Sequence, residues 1–201
     1  MIGKIIERVN RDMNGRMCDE HDNVRLLMEA VRDAGDGDYL EIGVLHGGSL
    51  CAVGLLKKQL KHKSRCYGID PLDGYYTDHK HIKKRGRYND PVTRLPVDYN
   101  TVISNLEKFG ITDRVTIIQS RSNPLPFYGS VAVCYIDGDH WGDAPTIDWC
   151  NINPLVTRFV VFDNVCDKHP DVKMAVDHAQ RDVRWRTYKL QGITAIMERV
   201  R

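Results

Sequence analysis

The chain has 201 residues, 42% hydrophobic and 28% charged, with a formal net charge of +2. That length supports one domain with a sizeable core, and the near balance of charge gives no global case for nucleic-acid or membrane binding. The six cysteines (Cys18, Cys51, Cys66, Cys134, Cys150, Cys166) are scattered without a C-x-x-C pair, which reads as a reduced, cytoplasmic protein rather than a disulfide scaffold. Residues 1–13 and 21–33 have helical spacing of apolar residues, as at Val24, Leu27, Met28 and Val31. The first stretch mixes charges into its apolar positions, so it is not a signal peptide. No apolar run approaches membrane-spanning length. A first strand is expected from Tyr39 to Val44, a helix from Ser49 to Leu60 and a second strand from Arg65 to Asp70. The stretch 71–96 is polar, basic and turn-rich, and a connection that long suits a lid over a site. Its run from His79 to Arg87 reads as a solvated basic loop, or alternatively as a lid recognising an anionic substrate.

A helix then runs to Phe109, followed by strands at Arg114–Gln119, Val131–Asp137 and Arg158–Asp163. Between the first two of these, Asn123-Pro-Leu-Pro-Phe127 reads as a proline-rich turn. A helix over Pro170–Arg181 precedes two closing strands, Trp185–Leu190 and Ile193–Arg199, hinged at Gln191-Gly192. Alternation of strand and helix argues for an α/β fold with a mostly parallel sheet of about seven strands, covered on both faces and closed by an antiparallel hairpin.

Chemistry concentrates at strand ends. The runs ending in Tyr135-Ile-Asp137-Gly-Asp139-His140 and Val160-Val-Phe-Asp163-Asn164 are apolar and then abruptly acidic. Buried parallel strands deliver charged groups to the carboxyl edge of a sheet in this way. Asp137 and Asp163 stand 26 residues apart, enough for one crossover helix between neighbouring parallel strands. Asp137, Asp163 and Asn164 are therefore candidate oxygen ligands for a hard cation such as Mg²⁺, with His140 beside them as a candidate base. The same residues would serve simply as helix caps if no site existed.

The segment Glu41–Ser49 follows a strand and opens a helix, with Gly43, Gly47 and Gly48 allowing a tight turn and close approach of a ligand. Asp70 ends the next strand 22 residues after Gly48, where a carboxylate can accept hydrogen bonds from ribose hydroxyls. Together they read as a site for a nucleoside-containing cofactor. The pattern E-x-G-x-x-x-G-G is neither the dinucleotide fingerprint nor a P-loop, which disfavours NAD and ATP.

With these residues the chain resembles the class I S-adenosylmethionine-dependent methyltransferases over roughly residues 36–166. Glu41–Ser49 is similar to the family's first motif and Asp70 to its ribose-binding acid. Asp137 with Asp163-Asn164 resembles the cation site of the catechol and caffeoyl-CoA O-methyltransferases. Asp137-Gly-Asp139-His140 resembles the macrocin-type sugar enzymes, in which the His is the proposed base. The resemblance implies a Rossmann-like domain spanning the chain, with N-terminal helices over 1–35 and the core over 36–201. It implies S-adenosylmethionine at Glu41, Gly43, Gly47, Gly48, Ser49, Asp70, Ser120 and Asp137, and Mg²⁺ or another divalent cation at Asp137, Asp163 and Asn164. Arg121 is a further candidate at the adenine edge, and Trp141 a candidate wall of the acceptor pocket, whereas Trp149 reads as core. The implied reaction methylates a hydroxyl of a small molecule, sugar or catechol-like. The competing readings are a metal-independent methyltransferase acting on an amine or nucleic acid, and a non-catalytic nucleoside-binding module. A homo-oligomer is compatible with all of them.

Overall fold

A computed structural model describes residues 1–17, 22–73, 89–90 and 92–200. The basic run 79–87 and most of the expected lid over 71–96 lie outside the described residues. The elements follow in the order α1 (Ile2–Asp12), α2 (Asn23–Ala34), β1 (Tyr39–Ile42), α3 (Gly48–Gln59), β2 (Cys66–Asp70), α4 (Tyr99–Phe109), β3 (Val115–Gln119), β4 (Val131–Ile136), α5 (Ala144–Ile152), β5 (Val156–Phe162), α6 (Pro170–Arg181), β6 (Trp185–Gln191) and β7 (Thr194–Arg199).

The seven strands form one sheet in the order β3-β2-β1-β4-β5-β7-β6. β1 pairs in parallel with both β2 and β4, while β7 runs antiparallel to β5 and β6. The fold is therefore the α/β, Rossmann-like sheet with an antiparallel closing hairpin that the strand pattern predicts. Chain order reverses between β1 and β4, and an open α/β sheet binds ligands in the crevice at such a switch point. One face packs against α1, α2, α3 and α4 through residues such as Val9, Leu27, Leu56 and Leu106. The other packs against α5 and α6 through Trp149, Ile152, Ala175 and Ala179. Trp149 is core, as expected, with its ring against Phe162 and Trp185.

Two boundaries differ from the sequence reading for a clear physical reason. β1 stops at Ile42 because Gly43 turns to φ +88. β5 begins at Val156, since Val156 pairs with Val131 across an irregularity that the polar Thr157 and Arg158 conceal in the sequence. The connection from β3 to β4 contains no helix, in keeping with the proline-rich turn at Asn123–Phe127, and Phe127 lays its ring on Tyr67 at 5.0 Å. Among the described residues no helix is long and apolar enough to cross a membrane.

Candidate active site

β1 and β4 end side by side, with the Asp137 N–H donating to the Ile42 carbonyl at 2.9 Å. The glycine turn and the acidic strand ends therefore meet at the switch point. The turn needs its glycines for the protein's own packing. A Cβ on Gly43 would lie 2.1 Å from the Asp137 carbonyl oxygen, and one on Gly48 would lie 2.5 Å from the Met17 Cβ. Gly47 sits at φ +80 and Leu45 at φ 51. Asp70 holds this turn by accepting the Val44 and Leu45 N–H groups at 2.8 and 3.3 Å on Oδ2, and the Leu72 N–H at 2.9 Å on Oδ1. Desolvation raises the Asp70 carboxyl above its ordinary pKa despite these bonds. Ser120 lies beside it, its N–H on the Asp70 carbonyl at 3.1 Å, while Arg121 is exposed. α3 carries no side-chain cap, so its first-turn N–H groups suit the carboxylate end of an amino-acid ligand.

Glu41 is hydrogen-bonded to the start of α3 through Ser49. It is fully buried, accepting the Tyr39 hydroxyl at 2.6 Å on one oxygen and the Ser49 hydroxyl at 2.8 Å on the other. Burial pushes its carboxyl up to about 8 against the help of both hydroxyls. In the unfolded chain a Glu titrates near 4.3. From there to about pH 8 the folded protein binds one proton more, so this group's stabilising contribution is full below the unfolded pKa and is lost as pH rises. We expect the Glu41→Gln variant to lack that loss, with stability flatter by up to about 1.4 kcal/mol per pH unit across the window. Urea melts at several pH values test this, and parallel wild-type and variant curves would refute it.

On the β4 and β5 side, the structure brings together the four residues singled out by the strand-end pattern. His140 Nε2 lies 3.2 Å from Asp137 Oδ1. Asn164 turns its Nδ2 to Asp137 Oδ1 at 3.4 Å, His140 Nε2 at 3.4 Å and Asp163 Oδ2 at 3.3 Å. Successive strand side chains point to opposite faces, but Asn164 adopts φ 58, and this left-handed turn aims it at the same point as Asp163. Burial lowers the His140 pKa, but the hydrogen bond and charge of Asp137, with Asp163 and Asp139 behind, outweigh it and raise the imidazole above its ordinary value. Burial, then the charge of Asp137, push the Asp163 carboxyl well above the usual range.

The donor chemistry suits a hard cation. Among the described residues Asp163 Oδ1 is buried without a hydrogen-bond partner, and the neighbouring charge of Asp137 repels its carboxylate. Among the described residues no three His, Cys, Asp or Glu side chains form a metal cluster, so the set consists of two carboxylates and the Asn164 amide. Rotating that amide would exchange its NH₂ for the carbonyl oxygen that such ions take.

Sequence reasoning missed several contributors. Asn23, at the start of α2, is buried and donates to Asp163 Oδ2 at 2.8 Å across 140 residues. Its position reads as a helix start, and nothing local ties it to β5. His169 lies 4.9 Å ring to ring from His140 and 5.3 Å from Trp141, so its ring links the two. The only signal for His169 was its place in the connection after β5.

Residues 40–165 match the sequence pattern of the family described as "Methyltransferase domain". Mycinamicin III 3''-O-methyltransferase from Micromonospora griseorubida is 30% identical over 167 residues, covering 76% of this chain and 63% of that protein. The chain thus spans less than two thirds of the curated relative's length. Among solved structures, the O-methyltransferase NovP superposes with a TM-score of 0.68 at 21% identity, covering 90% of this chain and 79% of the other. The O-methyltransferase from Bacillus cereus in complex with SAH gives 0.63 at 15% identity, covering 100% and 90%.

Proposed function

The chain belongs to the methyltransferase-domain family, and from that premise we propose that it transfers a methyl group from S-adenosylmethionine to a hydroxyl oxygen of a small molecule, sugar or catechol-like. The observation that carries the reading is the gathering of Asp137, His140, Asp163 and Asn164 at 3.2–3.4 Å, directly beside the glycine turn. The named activity of the Micromonospora relative, methylation of the 3'' oxygen of mycinamicin III, supports an oxygen acceptor.

In this reading the glycine turn, Ser49 and Asp70 hold the methyl donor, whose sulfonium supplies an activated methyl, with Ser120 at its adenine end. Asp137, Asp163 and Asn164 would hold a divalent cation. Bound there, such an ion lowers the pKa of an acceptor hydroxyl. His140 is the base that takes the hydroxyl proton, and Asp137, 3.2 Å from Nε2, orients the imidazole and stabilises its protonated form. Asn23 fixes the Asp163 carboxylate from behind. The rate then comes from positioning the oxygen in line with the methyl and from these charges. The buried free thiols of Cys51, Cys66 and Cys134 support a reducing, cytoplasmic setting.

Methyl transfer is expected to stop in strong chelator and return on adding Mg²⁺. The Asp163→Ala variant should need more Mg²⁺ for half-maximal rate, by at least the roughly 10–100-fold that loss of a ligand's supporting partner costs. A radiolabel transfer assay against a panel of hydroxyl acceptors, with and without chelator, is the test. Undiminished transfer in chelator would remove the cation from the mechanism. Normal donor binding with no transfer to any acceptor would favour a binding module instead.

A further inference from the structure

We infer that Asn105, on α4, is a positioning residue for the methyl-donor turn, and that it acts through the N-terminal segment 14–17 as well as directly. The inference rests on the reading of the 43–49 turn as the donor's loop. Asn105 is fully buried and spends its amide on two other elements. Its Oδ1 accepts the Asn14 N–H at 2.7 Å, and its Nδ2 donates to the Asn14 carbonyl at 2.8 Å and the His46 carbonyl at 2.9 Å. Only a primary amide offers this combination of one acceptor and two donors at that reach. Leucine would leave three backbone groups without these bonds, and aspartate would turn lone pairs on two carbonyls.

The turn needs such a grip. Leu45, just before His46, holds φ 51, a left-handed conformation that a bulky residue keeps only where its surroundings over-determine it. Asp70 grips the turn from the sheet side, at Val44 and Leu45. Asn105 grips it from the opposite element, at His46. The 14–17 segment closes the remaining side. The Arg16 N–H donates to His46 Nδ1 at 3.4 Å, Gly15 lies so close that a Cβ would come within 2.4 Å of the His46 ring, and Met17 fills the space a Gly48 side chain would need.

The same segment is tied to the far end of the 71–96 connection. Arg16 Nε lies 2.8 Å from Oδ2 of the fully buried Asp90, which also accepts the Thr93 hydroxyl at 2.8 Å. Asn105 therefore sits at the junction of the donor turn, the N-terminal segment and, through Arg16, the far end of the 71–96 connection at Asp90. Its role is to preorganise the turn, and a preorganised loop shows its worth in ligand affinity rather than in the chemical step.

The Asn105→Leu variant should weaken binding of S-adenosylhomocysteine by about tenfold or more in calorimetry. KM for S-adenosylmethionine should rise in parallel, while kcat at saturating donor stays within about threefold. The thermal stabilisation conferred by saturating S-adenosylhomocysteine should shrink with it. Asn105→Ser, which keeps one donor for a carbonyl, should give an intermediate affinity and serves if the leucine variant does not fold. Ser104→Ala removes a neighbouring contact to the Asn14 side chain without touching the turn, and should bind as the wild type does. Undiminished affinity in a folded Asn105 variant would overturn the inference, as would a fall in kcat at unchanged KM. Failure of the wild-type protein to bind S-adenosylhomocysteine would instead overturn the reading of the turn itself.

Discussion

His140→Ala is expected to lower kcat for methyl transfer by about 10²–10⁴-fold, the range for losing a positioned general base, with donor affinity nearly unchanged. A neutral alcohol is a poor nucleophile, so its proton must leave as the new bond forms. Asp137 Oδ1 lies 3.2 Å from His140 Nε2 and so orients the imidazole as a carboxylate orients a general base. The imidazole does not touch the glycine turn in any described hydrogen bond, so removing it should spare donor binding. Asp137→Asn separates the two contributions of the pair. It keeps a polar partner near His140 but removes the charge that raises the imidazole above its ordinary pKa. Single-turnover transfer and donor titration on each variant provide the measurement. Wild-type turnover in His140→Ala would remove the base from the mechanism. An equal loss of donor affinity would show instead that the side chain supports the fold of the site.

Gly43→Ala is expected to be the most damaging single methyl group that can be added to the donor turn. The new Cβ would fall 2.1 Å from the Asp137 carbonyl oxygen, 2.6 Å from its carbon and 2.8 Å from the Gly138 Cα. All three are backbone atoms of the neighbouring strand end, so no side chain can swing aside. The residue also sits at φ +88, which disfavours any side chain. Backbone strain of about 1–3 kcal/mol adds to an overpacking cost of about 1–3 kcal/mol. A total of several kcal/mol is a large share of an ordinary domain's stability of about 5–15 kcal/mol. The melting temperature should fall by roughly 10 °C, at about 2–4 °C per kcal/mol for a chain of this size. Gly35→Ala is the control, with φ +81 and no atom within 4 Å of the added carbon, so it should show the backbone cost alone. Similar melting temperatures for the two variants would mean that β1 and β4 separate easily at their ends, and would contradict the tight junction described here.

How far the sequence reached can be judged from particular residues. The alternating elements, the antiparallel closing hairpin and the carboxylates at the ends of β4 and β5 were all legible, because each is a local pattern of apolar runs broken by charge or glycine. The convergence of Asp137, His140, Asp163 and Asn164 followed from the spacing of two parallel strands, and the described geometry gathers all four. The role of the glycines was only half legible. Their need was plain, but Gly43 and Gly48 face the Asp137 carbonyl and Met17, contacts no local rule predicts. The burial of Glu41 and its bonds to Tyr39 and Ser49 were likewise not legible from its place at a strand end.

What the sequence determined by itself was the set of elements and the chemistry at their ends, since periodicity and turn residues act over a few positions. The tertiary structure alone decided which distant side chains complete the site. Asn23 meets Asp163 across 140 residues, Asn105 meets Asn14 across 91 and Arg16 meets Asp90 across 74. Each of these is a polar side chain in an ordinary helix or loop context, and its burial and partner exist only once the sheet order is set. A buried polar group must find a partner or cost the fold dearly, so packing selects those partners. That selection depends on which surfaces meet, and the order of the strands in the sheet decides that.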